Sequence, residues 1–227
     1  MLGRVHFNGD GVQRDVEEAV KWYAKAAEQG SMHAQYYMGA AYYNGDGVPV
    51  DKAAAVIFFR KAAEQGHMEA QCRMGSTYNN SGYGLPIDKA AAVEWWHKAA
   101  MQGHEDAQYR MGVAYFYGSG VQVSRAAAVE WWHKAAEQGH ADAQYRMGCA
   151  LYNGHGVSSN KATAVEWWKK AAAHGNKDAL DLLTRADRNA AFRIIRRANN
   201  KADALEWWHQ AAAQGDQDAK YRIRVIS

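Results

Sequence analysis

Ala141-Asp-Ala-Gln-Tyr-Arg-Met-Gly148 is followed by Tyr152-Asn-Gly-His-Gly-Val157 and then by Ala164-Val-Glu-Trp-Trp-Lys-Lys-Ala171. This stretch decides the fold because it recurs. Its aromatic pair, Trp167-Trp168, has counterparts at Trp22-Tyr23, Phe58-Phe59, Trp95-Trp96, Trp131-Trp132 and Trp207-Trp208, with successive spacings of 36, 37, 36, 36 and 40 residues. All nine tryptophans fall in this slot. The 21 glycines fall into three recurring sets: Gly30, Gly66, Gly103, Gly139, Gly175 and Gly215; Gly3, Gly39, Gly75, Gly112 and Gly148; and loop pairs such as Gly118/Gly120 and Gly154/Gly156. Both prolines, Pro49 and Pro86, also share one slot. A period of this length marks supersecondary units that bury their apolar faces by stacking on one another.

The local signals within a period agree. Asp88 precedes the apolar-periodic run Ala90 to Ala100, and its slot holds Asp15, Asp51, Ser124, Asn160 and Asn200. All are N-cap types, whose side-chain oxygen accepts an amide of the first turn. Gly103 suits the left-handed residue after a helix. A second helix is predicted over roughly Glu105 to Tyr117, and Gly118-Ser119-Gly120 then turns the chain. Two helices joined by so short a turn form an antiparallel pair. The first helix has two apolar ridges, Ala92/Trp95/Ala99 and Val93/Trp96/Ala100, so it needs cover from its own partner and from a neighbouring unit. Gly112 lies inside the second helix, where glycine costs ~1 kcal/mol relative to alanine. Its recurrence predicts a close helix crossing that a Cβ would block. The units run 15–50, 51–87, 88–123, 124–159 and a degenerate 160–199, with partial units at 1–14 and 200–227. In the degenerate unit Thr184 takes the glycine slot and Asn189 to Asn200 replaces the loop with four extra residues. That predicts a helix that runs on and a local bend.

Composition excludes several classes. The chain has 227 residues and a net charge of +3 from 27 basic and 24 acidic side chains, so no global charge selects nucleic acid or membrane. With 48% hydrophobic and 22% charged residues it is not a disordered chain. Two cysteines without a CxxC give no disulfide framework and no Cys-based zinc site. No apolar run is long enough for a membrane span. Met1-Leu2-Gly3-Arg4-Val5-His6 has no apolar core of a signal peptide. Met1-Leu2-Gly3 matches Tyr37-Met38-Gly39, so the chain opens inside a second helix. Half-units without polar caps at both ends leave self-association through the ends, and a missing leader, as open expectations. The compartment is left open between cytoplasm, periplasm and secretion.

The quoted slots resemble the Sel-one-like repeats, a branch of the TPR-like α-solenoids, and the resemblance covers almost the whole chain. It implies an all-α fold: a right-handed superhelical α-solenoid of about six antiparallel helix pairs, with a concave face. It also implies a non-catalytic adaptor or scaffold for other proteins; bacterial relatives include envelope, secreted and host-interacting factors. A cysteine-rich branch linked to penicillin binding and hydrolysis carries a cysteine pair in every unit. This chain lacks those pairs, and that activity is not carried over.

Glu-x-x-His occurs at Glu94/His97, Glu130/His133 and Glu206/His209, a spacing that binds metal in di-metal bundles. However, Lys169 breaks the histidine slot, and Glu94/Lys98, Glu130/Lys134 and Glu166/Lys170 read as i,i+4 ion pairs on a solvated stripe. No metal is expected. His67, His104 and His140 share a slot with Ser31, Asn176 and Asp216, which marks a helix start. There is no GxSxG, GxGxxG or P-loop lysine, so neither enzyme nor cofactor is expected. Cys72 and Cys149 lie two units apart, too far for a disulfide, and are expected to be free and largely buried.

The first helices supply the candidate concave face. It consists of Arg60, Glu94, His97, Glu130, His133, Glu166, Lys169, Glu206 and His209, with Lys21, Ala24 and Ile57 in matching positions. Mixed acids, bases and histidines suit a polar peptide or helix of another protein. The stretch 185–201, with Arg188, Arg193, Arg196 and Arg197, has a net charge of +5 and leaves −2 for the rest. It could attract an acidic protein segment or nucleic acid; the latter is the lesser reading because no aromatic platform accompanies it. The leading expectation is an adaptor that holds a partner protein or peptide in its groove. A secreted or periplasmic factor modulating an enzyme or host protein is the alternative. Ile57, Cys72, Tyr83, His155 and 185–201 break register and are where specificity is expected.

Overall fold

The computed structural model describes residues 2–8, 11, 13, 15–80 and 85–185. The helices are α1 (Leu2–Asn8), α2 (Val16–Glu28), α3 (Met32–Asn44), α4 (Lys52–Glu64), α5 (Met68–Asn79), α6 (Lys89–Met101), α7 (Glu105–Tyr117), α8 (Arg125–Glu137), α9 (Ala141–Asn153) and α10 (Lys161–Ala173). A further helix, α11, occupies 177–185. No strand occurs among the described residues. The chain is an all-α solenoid of repeated helix pairs.

Each helix begins where the cap residues place it. Asp15, Asp51, Asp88, Ser124 and Asn160 are in extended backbone, and each accepts the amide three residues on, at 2.9, 2.9, 3.0, 3.2 and 3.1 Å. The turn into the second helix of each pair passes through Gly30, Gly66, Gly103, Gly139 or Gly175, with φ between 87° and 99°. An L side chain is strained there, which explains the invariable glycine.

Successive helices pack unequally. α3 packs more extensively on α4 than on α2, and the pattern repeats at α5/α6, α7/α8 and α9/α10. The closest contact therefore straddles the Gly-x-Gly loop. Its cause is a ring on a glycine: Phe59 lies on Gly39, Trp96 on Gly75, Trp132 on Gly112 and Trp168 on Gly148. A Cβ at Gly39 would stand 2.6 Å from Phe59 Cδ1, and one at Gly112 would collide with Cδ1 and Nε1 of Trp132. Close approach is as expected, but at Gly112 what fills the space is the following helix's aromatic ring rather than its backbone.

The two apolar ridges also divide differently from the sequence reading. Trp96 joins Ala92, Ala99 and Ala100 in the core, whereas Trp95 and Val93 stay half-buried. Cys72 is free and buried; Cys149 is free but only half-buried, packed against the cluster of Trp168, Ala171 and Ala179. In the degenerate unit Thr184 sits on α11 and donates its hydroxyl to the Leu180 carbonyl at 2.8 Å. The expected helix extension and bend beyond it, Tyr83, and the final partial unit lie outside the described residues.

Candidate protein-binding surface

The stripe of first-helix residues lies on the surface. Lys21, Ile57, Glu94, His97, Glu130, His133, Glu166 and Lys169 are exposed, while Ala24 and Arg60 are half-buried. Glu206 and His209 lie outside the described residues. Contacts between units make the stripe continuous. The His97 ring meets the Trp131 ring edge-on with centroids 5.9 Å apart, and His133 meets Trp167 in the same way at 6.0 Å. Neighbouring first helices thus touch through side chains of the stripe itself.

The expected i,i+4 glutamate–lysine pairs do not form. Lys98, Lys134 and Lys170 lie over the rings of Trp95, Trp131 and Trp167, 4.1, 4.3 and 4.3 Å from the centroids. The indole, half-buried at Trp95 and Trp131 and buried at Trp167, offers the ammonium a negative face and covers its methylene stem, which a solvated glutamate does not. Glu166 pairs instead with Lys169 at 3.0 Å. The Glu-x-x-His residues do not converge, and among the described residues no group of three or more His, Cys, Asp or Glu side chains could hold a metal.

The opposite ends of the helices carry a polar ladder that the sequence reading missed. Gln35, Gln71, Gln108 and Gln144 are buried and donate to the carbonyls of Ala27, Ala63, Ala100 and Ala136 at 3.3, 3.1, 3.2 and 3.0 Å. These carbonyls lie at first-helix C-termini, where each also accepts the amide of the turn glycine, and the glutamine supplies a second donor. Each glutamine in turn receives a contact from the next unit: Gln65, Gln102 and Gln138 donate to Gln35, Gln71 and Gln108 at 2.7 Å, and His174 Nδ1 lies 2.9 Å from Gln144 Oε1. The recurrence of glutamine in two slots was the available signal.

His67, His104 and His140 begin helices, as their slot implies. Their Nδ1 atoms accept the amides of Ala70, Ala107 and Ala143 at 3.3, 3.3 and 3.2 Å. An amide N–H only donates, so Nδ1 carries the lone pair and the ring proton of a neutral imidazole sits on Nε2. That nitrogen faces the preceding unit: His104 Nε2 is 3.1 Å from Glu69 Oε2, and His140 Nε2 is 3.8 Å from Asp106 Oδ1. His67 meets His33 edge-on instead, at 5.0 Å. Burial, the His33 charge and the opposing influence of Glu69 leave the His67 imidazole below its ordinary value.

Asp106 joins two units. Arg110 Nε donates to its Oδ2 at 2.8 Å, and the Cys72 thiol donates to the same oxygen at 3.5 Å. Burial pushes the Asp106 carboxyl up, but His140 and Arg110 outweigh it and hold the group below the usual carboxylate range. Burial and the Asp106 charge push the Cys72 thiol up to about 12, so at neutral pH it is protonated and a poor nucleophile. These groups hold the stack together. The register-breaking His155 lies against Phe116, with centroids 6.0 Å apart. Arg188, Arg193, Arg196 and Arg197 lie outside the described residues.

Cavities open on the described surface. One of about 910 Å³ lies at the α2–α3 end, between Trp22, Tyr23, Lys25, His33 and Tyr37. Another, about 600 Å³, lies on the stripe between α8, α9 and α10, with Glu130 and His133 among its lining residues. The Sel1 repeat pattern matches residues 1–31, 33–67, 69–104, 105–140, 141–176 and 193–216. The chain belongs to the Sel1 repeat family. Four of these matches, from 33–67 to 141–176, run from a second helix to the following first helix, the pair that packs most closely.

The chain is similar to a Sel1 repeat protein from Oxalobacter formigenes, with 34% identity over 80% of this chain and 72% of that one, at a TM-score of 0.74. It is also similar to c5321, described as a protective antigen of uropathogenic Escherichia coli with an SLR fold, at 31% identity and a TM-score of 0.51. That match covers 99% of this chain but spans 55% of the c5321 chain. No curated protein matches. Sel1 repeat proteins are generally scaffolds for protein–protein interaction and are typically non-catalytic. No helix among the described residues is long and apolar enough to cross a membrane.

Proposed function

We propose that this Sel1 repeat chain holds a partner protein on the stripe of its first helices, through Arg60, Glu94, His97, Glu130, His133, Glu166 and Lys169, with Glu206 and His209 as the matching positions further on. The observation that carries the reading is continuity. His97 packs against Trp131 and His133 against Trp167, so exposed polar side chains from successive units form one surface. Repeat solenoids use such surfaces to bind extended segments, with contacts accumulated over several units. The opposite edge is occupied by the glutamine ladder and the histidine caps.

The test is affinity capture from the native source with the wild-type chain and with a Glu94→Lys, Glu130→Lys, Glu166→Lys variant, followed by mass spectrometry. Proteins retained by the wild type and lost by the variant support the reading. An unchanged set of partners overturns it. A second reading, a secreted or host-facing factor, is favoured by the similarity to the c5321 protective antigen. Antibody labelling of intact against permeabilised cells tests it, and signal only after permeabilisation removes it.

A further inference from the structure

The cavity between α8, α9 and α10 coincides with one departure from register. The second helices carry Tyr42, Tyr78 and Tyr115 in one slot, and α9 carries Leu151 there. Where tyrosine is present it spans the gap beside the first helices. Tyr42 stacks on Phe58 with centroids 5.7 Å apart, and the Tyr78 hydroxyl accepts from Arg60 Nη2 at 3.2 Å. Phe58 and Arg60 are the counterparts of Trp167 and His133. Leu151 ends short of both positions. The space left, about 600 Å³, is walled by Val129, Met147, Leu151, Val157 and Trp167. A volume of this size with apolar walls is that of a ligand pocket rather than a packing fault.

The charge around it is uneven. Glu166 is paired with Lys169, and Lys98, Lys134 and Lys170 are held over indole rings. Glu94 and Glu130 have no ion-pair partner among the described residues. Glu130 lines the cavity, and Glu94 is its counterpart one unit earlier. Lys134 also lines the cavity and keeps its charge over the Trp131 ring, so Glu130 and Glu94 are the carboxylates left without an ion pair rather than the only charge there.

We infer that the Leu151 cavity is an anchor pocket for one bulky apolar side chain of the partner segment, flanked in that segment by lysine or arginine facing Glu130 and Glu94. The inference rests on the reading of the stripe as the binding surface and adds the class of segment it takes. Burial of the apolar side chain supplies the attraction, and the basic neighbour sets register against the glutamates.

The probes are three fluorescein-labelled dodecapeptides. One has a central phenylalanine flanked by lysines, one the same phenylalanine flanked by glutamates, and one serine in place of phenylalanine between lysines. Binding to the 227-residue chain is read by fluorescence anisotropy and by methyl shifts of Leu151 and Val129. The lysine–phenylalanine peptide is expected to bind at least tenfold more tightly than the other two and to move both methyl signals. Leu151→Tyr fills the pocket with the side chain its slot carries elsewhere. It should abolish those shifts, lower affinity at least tenfold and leave the thermal midpoint unchanged. Glu130→Gln should weaken binding severalfold. Equal binding of the glutamate peptide, or binding unaffected by Leu151→Tyr, overturns the anchor pocket. If the glutamate peptide alone shifts stripe residues, the surface stands and the anchor inference falls. If none of the three perturbs any stripe residue, the reading of the surface falls with it.

Discussion

The junction of α3 with the α4/α5 pair and the junction of α7 with the α8/α9 pair use the same slots with different chemistry. At the first, Phe59 lies on Gly39, Tyr36 stacks on His67 at 4.6 Å, and His67 faces His33. At the second, Trp132 lies on Gly112, Tyr109 stacks on His140 at 4.7 Å, and His140 faces Asp106, which Arg110 holds. Apolar contacts and amide ladder are shared, so both junctions stack alike. The residue two positions into the second helix, His33 or Asp106, gives each junction its own electrostatic character.

The shared part yields the largest effects. Gly112→Val should destabilise the chain by ~3 kcal/mol or more, because the added atoms meet the Trp132 ring inside a packed core. Gly39→Val should cost less, since Phe59 is the smaller ring. Urea unfolding midpoints of the two variants check the order, and a change within ~0.5 kcal/mol for Gly112→Val would remove the ring-on-glycine account. Next in size, Gln108→Ala should cost ~1 kcal/mol by removing one hydrogen bond from the Ala100 carbonyl, which keeps the Gly103 amide, and one from the Gln138 amide, which keeps the Gly103 carbonyl, with hydrogen exchange fastest at the end of α6.

The distinct part yields smaller, pH-dependent effects. The Asp106 carboxyl is held low in the folded chain, so its contribution is present above the ordinary aspartate value of ~3.9 and is lost as pH falls through the folded value. Asp106→Asn should lower the midpoint at neutral pH and flatten its acid dependence. The His67 imidazole is also lowered, which in a base disfavours the charged form. The unfolded chain takes up a proton near pH ~6.5 while the folded ring, kept neutral by burial and by His33, does so only at lower pH. Stability should therefore fall as pH drops below ~6.5. His67→Ser keeps a cap and should remove that component, which titration of the thermal midpoint with and without the substitution would show.

Much of the fold was legible because it rests on local geometry. Asp88 and Gly103 act through backbone within a turn of their own position, so their residue types are enough to place helix ends. The fate of Lys98 was not legible. It stands four residues from Glu94 and three from Trp95, and both partners are allowed by helical spacing. Only the half-burial of Trp95 against the neighbouring unit decides for the ring. The Leu151 cavity was missed for a related reason. A leucine in a tyrosine slot looks like a conservative apolar change until Phe58 and Arg60 show what the tyrosine ring reaches.

The sequence by itself determined the period, the helix pairs, their caps and the glycines they require, since these depend on side chains and backbone a few residues apart. Tertiary structure alone decided that Trp132 seats on Gly112, that glutamines run a ladder between units, and that shortening one side chain at 151 leaves a cavity on the stripe. Those outcomes depend on groups about 16 to 36 residues apart, where the separation in space is set by how whole helices pack and cannot be read from spacing along the chain.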